Sequence, residues 1–96
     1  MRVPLGYAEC VTLGTAKGLH QFTPNVPAGA QFALVSVEAQ SVRWRDDGTE
    51  PTALVGHLLP SGSYREFDVW QGVGCPLRFI EATAGARIRV TYYKQA

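Results

Sequence analysis

The sequence predicts an all-β domain of about eight short strands, an antiparallel β-sandwich with a jelly-roll winding among its arrangements. Three observations carry that expectation. Val, Ile, Thr, Tyr, Phe and Trp supply 29 of the 96 residues, and these are the types that suit a pleated, half-buried surface. Ten Gly and six Pro cut the chain into short pieces. Where apolar residues are patterned, their period is two rather than 3.6. A chain of this length makes one domain, 1–96, with a single core.

In chain order, the first candidate strands are residues 7–13 and 19–22, separated by GTAKG. After TPNVPAG, residues 31–39 (QFALVSVEA) carry apolar groups on both faces from Phe32 to Val35, as expected of a strand clamped between layers. A short step through Gln40 and Ser41 leads to VRWRD, where Val42 and Trp44 share one face and Arg43 and Arg45 the other. The two segments read as a hairpin. Next, Asp46, Asp47 and Gly48 form a structural turn, since Asp-Gly suits positive φ and Pro51 cannot donate to a ladder.

Residues 53–59 read as a broken strand, and residues 64–70 as an amphipathic one, with Phe67 and Val69 alternating against Glu66 and Asp68. Residues 77–82 follow. The clearest strand is ARIRVTYY, residues 86–93, where Ile88, Val90 and Tyr92 point one way and Arg87, Arg89, Thr91 and Tyr93 the other. The expected core is Phe32, Leu34, Val35, Trp44, Phe67, Val69, Phe79, Ile88 and Val90.

The hydrophobic class makes up 46% of the chain and charged residues 18%, too apolar for disorder and too interrupted for a membrane span. The opening MRVPLGYAEC has no apolar h-region, so no secretory signal is expected. Net charge is +1 without a basic block, so neither nucleic acid nor a membrane is an expected partner. Cys10 and Cys75 lie far apart with no metal-ligand spacing and read as buried thiols.

Chemistry is scarce. The two histidines, His20 and His57, fall in apolar settings, and no Ser lies in a nucleophile elbow. GVG at 72–74 runs into Cys75 and Pro76 instead of a helix start, which removes a phosphate loop. Asp46, Asp47 and Glu50 are too few for a calcium loop. The expectation is a protein without catalytic residues, cofactor or metal, and therefore no enzyme.

Seven of nine basic residues are Arg, the cation suited to planar docking on another protein. Arg43 and Arg45, and Arg87 and Arg89, each recur at period two on a non-core face. Two readings stand, a docking stripe or a solvated face paired with Glu66, Asp68 and Glu81. Trp70 and Tyr93 are candidate exposed aromatic contacts. Sheet edges left open on so small a sandwich suggest self-association as a dimer or trimer.

The string AGAQFALVSVEAQSVRWRDDGTEPTALVGHLL, residues 28–59, resembles a group of small virion proteins of tailed bacteriophages encoded among head genes. In these an RWRDDG turn is followed by Pro, Thr and a Gly before an apolar pair. LRFIEATAGARIRVTYY, residues 77–93, is similar to the same group. The resemblance implies a virion structural protein made in the host bacterial cytoplasm and carried on the capsid surface. As a capsid decoration or cement protein, it would dock on the major capsid protein lattice and stabilise the head. A head-to-tail joining component is the next option. A spike, fibre or tail-associated module that recognises host-surface glycan is another, with Trp70 beside Gln71 as its aromatic platform.

Overall fold

The computed structural model describes residues 1–24, 26–69 and 75–96. Eight strands form: β1 (Arg2–Cys10), β2 (Lys17–Gly18), β3 (Phe32–Glu38), β4 (Val42–Arg45), β5 (His57–Leu59), β6 (Tyr64–Asp68), β7 (Arg78–Glu81) and β8 (Arg87–Gln95). They make two antiparallel four-stranded sheets, the first ordered β1-β8-β3-β6 and the second β2-β7-β4-β5. The chain is an all-β antiparallel sandwich.

Hydrogen-bonded neighbours include β1 with β8, β2 with β7, β3 with β6 and β4 with β5. These are the pairs of one long hairpin, bent between β4 and β5 and rolled so that successive segments join opposite sheets. That strand order is the jelly-roll winding. It leaves β5 and β6 as the two edges on one side of the sandwich, and β1 and β2 as the edges on the other.

Alternation in each strand decides what is buried. In β8, Ile88, Val90 and Tyr92 are buried while Arg87 to Tyr93 on the other parity are not. Tyr92 finds room because Gly6 and Ala33 are its partners in β1 and β3. Phe67 meets Trp44 and Phe79 edge-on, at centroid separations of 4.9 and 5.6 Å, an arrangement that aligns ring edges with ring faces. Phe22 extends the chain of rings from Phe79.

Several local expectations need correction. Residues 31–45 are not a hairpin: β3 pairs with β6 and β8, whereas β4 pairs with β5 and β7. Ala39, with φ of 70°, and the Gln40 N–H donated to Glu38 O turn the chain out of the first sheet. Phe32 and Leu34 are half-buried on the outer face, because Ala33, Val35 and Val37 take the core side. Arg2 lies over the Phe32 ring, 3.9 Å from its centroid. Leu19–Gln21 is a 3-10 helix, not a strand, and only His57–Leu59 of residues 53–59 is extended.

Candidate docking surface

The segment from Arg43 to Leu59 is built by its own short-range chemistry. The Asp47 carboxylate accepts from Arg45 and from the Thr49 N–H, and Gly48 takes a φ of 86°. The bond from Arg45 holds the Asp47 carboxyl below its ordinary value, with the Thr49 N–H and the Arg45 charge adding to the effect. Pro51 is buried. Thr52 Oγ1 then accepts from the Val55 N–H at 3.0 Å and the Leu54 N–H at 3.3 Å. The Thr52 and Val55 backbones exchange bonds.

Arg43 closes the loop. Its Nε donates to Ala53 O and its Nη1 to Gly56 O, both at 3.1 Å. Gly56, with φ of 136°, packs so closely that a Cβ there would lie 3.2 Å from Trp44 O and from Pro51. A non-repetitive loop is thereby fixed on the second sheet.

What the loop displays is apolar. Leu54 is 86% exposed, Val55 53%, Leu58 50% and, across the β5–β6 turn, Tyr64 73%. Seven large hydrophobic side chains stand exposed among the described residues, and these four come from one stretch. Arg43 pairs with Leu58 on one side and Ile80 on the other, so the three form an outer row in which the only charge is turned back to loop carbonyls. Sequence reasoning missed this corner. The readable signal was TALV set between Pro51 and Gly56, since an apolar pair inside a loop bounded by breakers has no regular core face to enter.

The outer face of the first sheet differs in kind. Arg89 Nη1 donates to Tyr7 Oη at 2.7 Å and Glu9 Oε2 at 2.6 Å, and its Nε donates to Glu38 at 3.0 Å. The Tyr7 bond first, then the Glu38 bond and charge, raise the guanidinium above its already high ordinary value. Arg2 pairs with Glu66. This face is laced by ion pairs, whereas in the Arg43–Leu59 segment the ion pair among the described residues is Arg45 with Asp47.

The four arginines expected in a stripe are therefore divided. Arg43 and Arg45 face outward from the second sheet, Arg87 and Arg89 from the first, on opposite broad faces of the sandwich. Arg43 is engaged by the loop, Arg45 by Asp47 and Arg89 by its network, while Arg87 is exposed. Parity along a strand gives the face but not the sheet. Tyr93 is half-buried beside Phe32 and Pro4. Trp70 and Gln71 lie outside the described residues.

A cavity of about 260 Å³ opens between the sheets beside β6, lined by Trp44, Asp46, Arg65, Phe67, Asp68 and Leu77 among others. Arg65 lies over the Trp44 ring at 5.1 Å and the His57 ring is tilted against it at 4.7 Å, so Trp44 is 8% exposed and has little surface left for a flat ligand. Cys10 and Cys75 are buried free thiols. Among the described residues, no three His, Cys, Asp or Glu side chains converge on a metal-sized space. Comparison with known protein families, curated proteins and solved structures gives no match.

Proposed function

We propose that the chain is a non-enzymatic structural protein of a tailed-bacteriophage virion, a decoration protein that docks on the major capsid protein lattice and stabilises the head. The observation that carries this reading is the apolar corner of Leu54, Val55 and Leu58. Arg43, Thr52 and Gly56 spend their bonding and conformational freedom on presenting it to solvent. A soluble domain gains nothing for its own core from such a ridge, and a fixed apolar ridge is what a partner surface can bury with little ordering cost. The same segment carries the resemblance to phage virion proteins. Docking through this corner leaves the ion-paired face of the first sheet toward solvent, the polarity expected of an outer layer on a shell.

Sedimentation of the purified chain with heads of a phage that encodes it tests the reading. Wild type should co-sediment at a fixed ratio to the capsid protein, and the Leu54→Asp/Leu58→Asp variant should lose occupancy while melting normally, because both side chains are outside the core. An electron-microscopy map should place the density on the shell, with the dimer or trimer proposed for the free chain visible as clustered copies. Density at the tail or connector, or binding to host glycan without binding to heads, would overturn it.

A further inference from the structure

The second feature of the β5–β6 side is a strand edge with unused bonding capacity. β3 and β6 pair in a register where Phe32 faces Asp68 and Ser36 faces Tyr64. At its two ends Val69 N–H donates to Gln31 O and Val37 N–H to Ser63 O. In an antiparallel ladder the bonded pairs alternate, so residues 63, 65, 67 and 69 bond to β3. The N–H and C=O groups of Tyr64, Glu66 and Asp68 point the other way, and no described residue pairs with them there. Each exposed edge of this kind is a template for another strand.

The remaining edges are blunted. β1 carries Pro4 and a register shift between Pro4 and Gly6, and its Glu9 exchanges bonds with Thr23. β2 has two residues and β5 three. β6 has five, without proline or bulge.

From this we infer that the β6 edge accepts an extended segment of a partner protein as a fifth strand of the first sheet, and that this segment carries basic residues at alternate positions, on its outward parity. The inference rests on the docking role proposed for this side of the sandwich, and it names the chemistry of the partner. An added strand would send alternate side chains to the two faces of the sheet. Those opposite Tyr64, Glu66 and Asp68 meet two carboxylates on the outer face, of which Glu66 already pairs with Arg2. Those of the other parity face the cavity, whose lining sets Trp44, Phe67 and Leu77 among Asp46, Arg65 and Asp68. At about 260 Å³ this cavity is smaller than the ~300 to 1,000 Å³ of small-molecule pockets and has room for a single side chain. Arg65 does not offset the acidic edge, since its guanidinium is drawn inward over Trp44 and Phe67. Recognition of this type takes affinity from main-chain bonds and specificity from alternate side chains.

A second copy of the chain is the poorer occupant. Antiparallel pairing of two β6 strands about Glu66 sets Glu66 against Glu66 and Tyr64 against Asp68, so it brings no basic side chain opposite either carboxylate.

The test uses the intact protein and a synthetic heptapeptide, Thr-Lys-Leu-Lys-Val-Lys-Thr, with the Lys-to-Glu peptide as its control. Binding should slow amide exchange at Tyr64, Glu66 and Asp68 by tenfold or more, and the Glu peptide should bind at least tenfold more weakly. Glu66→Pro removes one outward donor without touching a bond to β3, so it should keep the wild-type fold and lose the peptide. Glu66→Ala, which removes the carboxylate and its pairing with Arg2 but keeps the outward N–H, should weaken binding only severalfold. Protection elsewhere on the molecule, equal binding of the two peptides, or equal binding by the Pro and Ala variants overturns the inference. If heads still bind Glu66→Pro but not Leu54→Asp/Leu58→Asp, strand addition fails while the capsid reading stands.

Discussion

Replacing Tyr92 by Phe should stabilise this protein. Tyr92 is fully buried in an interior strand of the first sheet, and its hydroxyl has no hydrogen-bond partner among the described residues. A buried, unsatisfied polar group costs about 1 to 3 kcal/mol. Removing one oxygen leaves a void too small to cancel that gain, so the expected benefit is about 1 kcal/mol. For a domain of this size that raises the melting temperature by roughly 4 to 8 °C. The ionisation of the phenol provides an independent arm. Burial, with a smaller contribution from Cys75, pushes it far above the ordinary value of 10.0, so the folded state holds the proton while the unfolded state releases it. Stability is complete below pH 10 and is lost as pH rises above it, at about 1.4 kcal/mol per pH unit from this group. Urea titrations of both proteins at pH 7, 10 and 11 should show the Phe variant more stable at pH 7, with its advantage widening between pH 10 and 11. A Phe variant that melts lower at pH 7, or whose advantage does not grow, would refute the reasoning and require a partner for the hydroxyl.

The two turn glycines should differ. Gly48 has open space around it and should tolerate Ala at about 1 kcal/mol, the penalty of a left-handed backbone. Gly56→Ala must also displace Trp44 O or Pro51 and should lower the melting temperature further, so equal losses would mean that the loop shifts freely. Arg43→Ala should speed amide exchange at Leu54 and Val55 while leaving Val35 and Val90 protected; unchanged exchange would show that the loop holds itself. Finally, Arg45→Gln should return the Asp47 midpoint upward toward 3.8, its ordinary value. Side-chain carbonyl shifts followed from pH 2 to 6 would read this directly, and an unmoved midpoint would dismiss the ion pair.

Period-two patterning made β6 and β8 legible, and with them Phe67, Ile88 and Val90 as core. It placed Trp44 inside for the same reason. The pattern was weak in β3, where six consecutive apolar or small residues hide the alternation and Leu34 and Val35 look equivalent. Burial was then decided by which parity faced the second sheet, Ala33, Val35 and Val37 on the core side and Leu34 outward between Thr91 and Glu66. Strand order was not legible, because pairing β1 with β8 joins residues from Cys10 with Ile88 to Arg2 with Gln95, nearly the whole chain apart, and leaves no local trace. The same blindness divided the arginines. Each pair was assigned to a non-core face, but which sheet owned that face depended on the chain crossing at residues 39–41.

The rolled-hairpin order also dictates when the molecule can fold. β8 is the last strand in the chain, yet it lies between β1 and β3 in the first sheet. During synthesis, at roughly 5 to 20 residues per second, β1 and β3 therefore emerge with the strand that separates them still unmade. Until β8 arrives, Val35 and Ala8 lack the Val90 that stands between them and the first sheet has no centre. The second sheet can begin earlier, with β4 and β5 close in sequence, but it too waits for β7. Closure of the sandwich is consequently a late event dominated by distant pairings, the class of topology that folds in milliseconds to seconds rather than microseconds. In a cell making many copies at once, the unclosed edges of that interval are where one nascent chain is most exposed to the next.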